Sequence, residues 1–131
     1  MTSSTVMRYE DRLAGFDWSL AERELGYREG DPINIGWYCT DRICAQGRAG
    51  TPALLWEDFS GAERTYTFDD LRVLSNTIAD YLRGLGLAPG ERICLFMDRV
   101  PELYIGFLGI LKMGGVAQPL FSAFGPESLH T

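Results

Sequence analysis

Few residues in this 131-residue chain are of a type and spacing that could do chemistry, and most candidates exclude themselves. The single histidine, His130, stands near the end with no carboxylate prepared beside it. Neither a Ser-His-Asp nor a Cys-His arrangement is therefore available beyond that residue. Cys39, Cys44 and Cys94 are odd in number and contain no close pair of metal-ligand spacing, which argues against a disulfide scaffold or a zinc site and for reduced thiols. Gly84 and Gly86 imitate the start of a dinucleotide fingerprint, but they stand between a helix and a strand, the reverse of the required order, and Pro89 replaces a glycine. The glycines between Gly109 and Gly115 lack a following Lys-Ser/Thr pair and form no phosphate-cradling loop. Asp69-Asp70 and the acids from Glu22 to Glu24 read as helix-start and solvated-face charges.

Two stretches remain. Asp98-Arg99 follows a strand at the edge where open α/β sheets place their sites; it reads as a functional pair, or as a helix cap by Asp98 beside a surface Arg99. The loop Phe121-Ser122-Ala123-Phe124-Gly125 offers two aromatics and small residues between a strand and Pro126. It could line a planar ligand, or simply be a packed strand-to-helix connection.

The elements that position these stretches are legible from periodicity. Arg92–Met97 carries Ile93 and Leu95 on one face and Cys94 and Phe96 on the other, the pattern of a strand covered on both sides. Pro101 suits a first helical turn, and Leu103–Met113 is apolar nearly all the way round, which predicts a deeply buried helix. Gly114-Gly115 can end it, and Val116–Leu120 begins a second strand. A helix joining two such strands predicts parallel pairing. Gly106 and Gly109 are expected to let the helix approach the sheet.

Upstream, Tyr9, Leu13, Phe16, Leu20 and Leu25 recur at helical spacing and predict one helix or two short packed ones around Gly15. Asn34 is placed to cap a helix running to about Gln46, with Gly47 ending it and Trp37, Ile43 and Cys44 on a modest buried face. Ala53–Glu57 and Arg64–Thr67 flank turn residues Asp58, Ser60 and Gly61, which reads as a hairpin. Thr67 and Asp70 form a capping-box pattern before Leu71, Leu74, Ile78, Leu82 and Leu85, spaced 3, 4, 4 and 3. The aromatics Trp37, Trp56, Tyr66, Phe68, Tyr104 and Phe107 are expected in the core. The fold class is α/β: a helical arm and β-hairpin, then a strand–helix–strand parallel unit that is an incomplete piece of a larger α/β domain. Too few parallel strands are supplied, and Pro126 to Leu129 begins to read as a helix start just before the last residue, so truncation is expected.

Composition narrows the function classes. Hydrophobic residues make up 46% and charged residues 23%, ordinary for a globular domain. A net charge of −6 disfavours a nucleic-acid partner. The apolar run Leu103–Leu111 is too short to span a bilayer and no apolar signal segment opens the chain, so a cytoplasmic protein without a membrane partner is expected.

The blocks NIGWYCTDRICAQG and TYTFDDLRVLSNTIADYLRGLGLAPGERICLFMDRVPELYIGFLGILKMGGVAQPLFSAFGPESL carry a resemblance. Tyr66-Thr67-Phe68, Ser75-Asn76, Gly86 to Gly90-Glu91-Arg92, Pro101-Glu102-Leu103 and Pro119-Leu120-Phe121 occur in the order that resembles the amino-terminal part of AMP-forming acetate–CoA ligases, of the adenylate-forming superfamily. The resemblance covers about Asn34 to Leu129. It implies that residues 1–33 form a helical arm and that residues 34–131 are the first part of the AMP-binding domain, truncated at its carboxyl end. It implies a parent that joins acetate and CoA using ATP and Mg²⁺, with the phosphate loop, nucleotide-binding aspartate and mobile lysine all beyond Thr131. No catalytic or metal residue carries over. Phe121, Ser122 and Ala123 carry over as part of a wall beside the CoA nucleotide. Departures are Ile43 where the family often has His after Asp41-Arg42, and Asp98 where it usually has Pro after Met97. The chain alone is expected to be inactive, to bind no cofactor, and to self-associate through exposed apolar surface. A standalone interaction module, or a ligase for another short-chain or aromatic acid, are the alternatives.

Overall fold

The structure is a computed structural model that describes residues 8–120 and Ser122. The chain divides into two compact units at the boundary between Ile33 and Asn34. In the first, α1 (Tyr9–Ala14) ends at Gly15, and α2 (Trp18–Leu25) starts from Asp17, whose carboxylate accepts from the Ser19 amide at 2.9 Å. Gly26 closes α2 at φ 67°. Two short helices are therefore present around Gly15, as expected. Neither buries a residue: Tyr9, Leu13, Phe16 and Trp18 all stay exposed, so the helical spacing does not become a core.

The second unit runs α3 (Ile35–Cys39), α4 (Asp41–Ile43), a π-helical turn (Cys44–Arg48), β1 (Pro52–Glu57), β2 (Glu63–Thr67), α5 (Phe68–Gly84), β3 (Arg92–Phe96), α6 (Pro101–Met113) and β4 (Val116–Leu120). Asn34 caps α3 through its side-chain oxygen, 3.0 Å from the Trp37 amide. The single helix expected as far as Gln46 is broken at Thr40, whose backbone lies at φ −129°, ψ −73°. Its hydroxyl is buried within 2.7 Å of the Gly36 carbonyl and 2.9 Å of the Asp41 carboxylate, a local alternative to continued helix. The buried residues of this segment are Gly36 and Thr40. Trp37 is 46% exposed, and Ile43 and Cys44 are only half-buried, which corrects the expected face.

The hairpin is antiparallel, with Leu55 opposite Thr65 and Trp56 opposite Arg64. Asp58 shapes its turn by accepting from the Ser60 amide at 2.7 Å and the Ala62 amide at 3.0 Å. The capping box then starts α5: the Asp70 amide donates to Thr67 Oγ1 at 3.1 Å and the Thr67 amide to Asp70 at 2.8 Å. The buried stripe of α5 is Leu71, Ser75 and Ala79, while Leu74 and Leu85 are exposed. Small residues explain the rotation. A Cβ on Gly109 of α6 would fall 2.6 Å from Ile78 Cγ2 and 3.0 Å from the Ser75 carbonyl, so α5 and α6 approach along Ser75, Ala79 and Gly109.

Strands β3 and β4 pair in parallel, Ile93 opposite Ala117 and Leu95 opposite Pro119. Helix α6 covers the face carrying Leu95: Gly106 stands against Leu95 Cδ2, whereas Gly109 faces α5 rather than the sheet. Ile105, Ile110 and Met113 are buried, each worth about 2 kcal/mol of hydrophobic stabilisation. Two expectations are corrected by this packing. The second face of β3 is uncovered, with Cys94 and Phe96 exposed, and α6 is not buried all round, since Tyr104 and Phe107 are exposed. Among the described residues there are only two parallel strands and one layer of helices, so the other apolar side meets nothing. For the same reason none of the six expected core aromatics is fully buried.

Candidate functional site

Because β3 and β4 are parallel, both chain segments leave the sheet at one edge, where ligands of α/β folds are held. Phe96 and Leu120 are register partners at that edge, which brings the loop after β3 beside the turn after β4. Ser122 lies in that turn and is exposed. Phe121 and Ala123, and with them Phe124, Gly125 and His130, lie outside the described residues.

On the β3 side, Asp98 and Arg99 are exposed. Asp98 does not cap α6: the N-cap position belongs to Val100, with no side-chain cap at all, and Pro101 opens the helix. The backbone of this loop is braced from the hairpin, since Trp56 Nε1 donates to the Arg99 carbonyl at 2.8 Å. Arg64 stacks over the Trp56 ring at 5.3 Å and stands 3.9 Å from Glu102. Both charges of that pair are more than half exposed, so it adds little beyond orientation. Among the described residues, the edge thus offers one guanidinium without a side-chain contact, Arg99, one hydroxyl, Ser122, and a helix start with no side-chain acceptor. It can hold a polar ligand but contains no proton-transfer pair.

The opposite end of α6 is built differently. Lys112, the only lysine in the sequence, has a side chain 6% exposed. Its ammonium pairs with Asp41 at 2.5 Å and donates to Asn76 Oδ1 at 2.8 Å and to the Arg72 carbonyl at 3.4 Å. Asn34 Nδ2 donates to the carbonyls of Leu111 and Lys112 at 3.2 and 3.1 Å, and Arg83 donates to the Lys112 carbonyl at 3.2 Å. Burial pushes the Asp41 carboxyl up. Hydrogen bonds from Lys112, Thr40 and Asn76, with the Lys112 charge, outweigh that and hold it below its ordinary value. A cleft of about 330 Å³ opens beside this cluster, lined by Trp37, Asp80 and Arg83 among others. All three hydrogens of the Lys112 ammonium are engaged, so the lysine has no donor left for a phosphate. It is a support. The sequence signal was a lone lysine in an apolar helix, with Asn34 and Asp41 seven apart; only the fold reveals that they meet.

No group of three or more His, Cys, Asp or Glu among the described residues could hold a metal, so Mg²⁺ has no fitting donor set there. The three cysteines are free. No helix among the described residues is long and apolar enough to cross a membrane.

The family profile described as AMP-binding enzyme matches residues 42–131. The acetyl-coenzyme A synthetase of Bacillus subtilis (strain 168) is 37% identical over 120 residues, 91% of this chain and 21% of that protein. That of Magnetococcus marinus is 32% identical over 115 residues, 87% of this chain and 18% of its own length. The crystal structure of an acyl-CoA synthetase from Brucella canis superimposes with a TM-score of 0.83 at 31% identity, over 95% of this chain and 22% of that one. The acetoacetyl-CoA synthetase of Streptomyces lividans superimposes with a TM-score of 0.67 at 26% identity, over 74% of this chain and 15% of that one. The chain spans about a fifth of the length of the curated relatives it matches.

Proposed function

The chain belongs to the AMP-binding enzyme family, and from that premise we propose that it is the amino-terminal portion of an AMP-forming acetate–CoA ligase. The whole protein would convert acetate, ATP and CoA to acetyl-CoA, AMP and pyrophosphate. Mg²⁺, when bound there, supplies charge for the phosphates. The observation that carries the reading is the joint agreement of fold and sequence: 95% of the chain superimposes on an acyl-CoA synthetase at 31% identity.

In this reading the chain contributes framework and one wall. Helix α6 and the hairpin hold the β3 and β4 ends side by side, and Phe121, Ser122 and Ala123 stand beside the CoA nucleotide. The remaining phosphate contacts, the metal site and the catalytic lysine belong to parts of the parent beyond these residues. The 131-residue chain by itself is therefore expected neither to adenylate acetate nor to bind ATP tightly.

The reading frame beyond Thr131 tests this. A continuing frame whose translated product releases pyrophosphate only with acetate and ATP agrees with it. A stop codon after Thr131, with a folded product that binds another protein, would replace it with the interaction module. A different acyl group is the second reading, favoured by the likeness to an acetoacetyl-CoA synthetase. Ranking acids by pyrophosphate release in the same product separates the two.

A further inference from the structure

The block from Asn34 to Asp41 has no ligand of its own in the ligase reading, yet four of its residues converge on one place. Asn34 donates to two carbonyls in the last turn of α6, and Asp41 pairs with Lys112 in that same turn. Thr40, fully buried, places its hydroxyl 2.9 Å from the Asp41 carboxylate. Gly36 leaves no room: a Cβ there would fall 2.6 Å from Lys112 Cγ and 2.8 Å from the Leu108 carbonyl. A side-chain methyl is thus excluded by the helix that the block holds. From the other side, Asn76 and Arg83 of α5 grip the same turn.

The connection from that turn to β4 is short and stiff. Gly114 reverses the backbone at φ 86°, the Gly115 amide donates to the Ile110 carbonyl at 2.9 Å, and the Val116 amide donates to the Glu91 carbonyl at 2.8 Å. Strand β4 then runs five residues to the edge turn at Ser122. A shift of the last turn of α6 should therefore be felt along β4, whose first residue is tied to Glu91.

We propose that Asp41 is a positioning residue: acting through Lys112, it fixes the end of α6 and so the setting of β4 and of the turn at Ser122. The importance of that setting for CoA rests on the ligase reading; the positioning itself does not, and is measured on the 131-residue chain without any ligand.

The experiment compares amide NMR spectra and hydrogen exchange of wild type, Asp41→Asn, Lys112→Met and the double variant. Expected are shifted amide resonances at Val116, Ala117, Gln118, Leu120 and Ser122, and exchange accelerated about tenfold more at Gly115 and Val116 than at Ala79 in α5. The double variant should be less perturbed than the sum of the two single variants and no worse than the more perturbed one, because it removes the same interaction and leaves no unpaired buried charge. Arg83→Met, which alters an exposed side chain and leaves the fold intact, should shift Val116 in the same direction by less. Unchanged β4 and Ser122 resonances, or acceleration uniform across α5 and β4, would overturn the proposal. If both charge variants fail to fold, an Arg83→Met spectrum silent at Val116 overturns it alone.

Discussion

The two ends of α6 are held by opposite strategies. At its carboxyl end, side chains from before α3, from α4 and from α5 reach the last turn, a left-handed glycine closes it, and its one ammonium is fully engaged. At its amino end there is no side-chain cap. Proline replaces one amide donor, and among the described residues the side chain that braces the loop before it is Trp56, which donates to the Arg99 carbonyl. The locked end faces away from the edge where β3 and β4 terminate; the sparse end lies on it. A fold that keeps polar groups uncommitted at one edge can offer them to a ligand there, provided the other edge holds the geometry.

The largest effect that would test this contrast is at the locked end. Lys112→Met leaves the Asp41 carboxylate without its cation and should cost about 3 kcal/mol in urea unfolding, the cost of breaking a buried pair from one side. A loss no larger than that of a surface substitution would erase the difference between the ends. Gly109→Ala should cost about 2 kcal/mol, because its methyl meets Ile78 and the Ser75 carbonyl and must push α5 from α6. At the sparse end, Trp56→Phe removes one exposed hydrogen bond and should cost no more than about 1 kcal/mol.

Acid sharpens the contrast further. The folded-state pKa of Asp41 is depressed, so its contribution is fully present above the unfolded value near 3.8 and is lost as pH falls through the lower folded value. Asp17, Asp58 and Asp70 are lowered as well and act in the same direction, so the difference between wild type and Asp41→Asn isolates the pair. That difference should shrink on acidification; a constant difference would mean that the charge is not what stabilises the turn. The smallest expected effect is on association. Phe96, Tyr104, Phe107 and Val116 are exposed and, among the described residues, β3 and β4 have unpaired outer edges, so light scattering of the isolated chain should show mass rising with concentration.

Local signals were readable in the sequence wherever one short stretch determines the outcome. The Thr67–Asp70 capping box, the Asp58 turn, the Asn34 cap and the glycine stop of α6 all depend on residues within four positions of one another. The parallel pairing of β3 and β4 was also legible, because two apolar strands joined by one helix leave little choice. What escaped was set by distant partners. The break at Thr40 depends on a hydroxyl competing for the Gly36 carbonyl, and the rotation of α5 on Gly109, far downstream in α6. The exposed face of β3 follows from the absence of a second layer among the described residues, which a strand pattern read alone cannot reveal. Lys112 read as the end of an apolar run, since its three partners lie 36 to 71 positions upstream. Of the ligand-edge loop, the sequence supplied the residues and the structure supplied the neighbour, the β3 end beside Ser122.

The ligand edge itself is tested most directly by Ser122→Trp in the protein translated from the complete reading frame. If Ser122 stands beside the CoA nucleotide and the parent uses acetate, as proposed, a bulky side chain there should raise KM for CoA by about tenfold while leaving acetate-dependent ATP–pyrophosphate exchange unchanged. An unaltered KM for CoA, or an equal loss in both half-reactions, would contradict the placement of the ligand at the open end of α6.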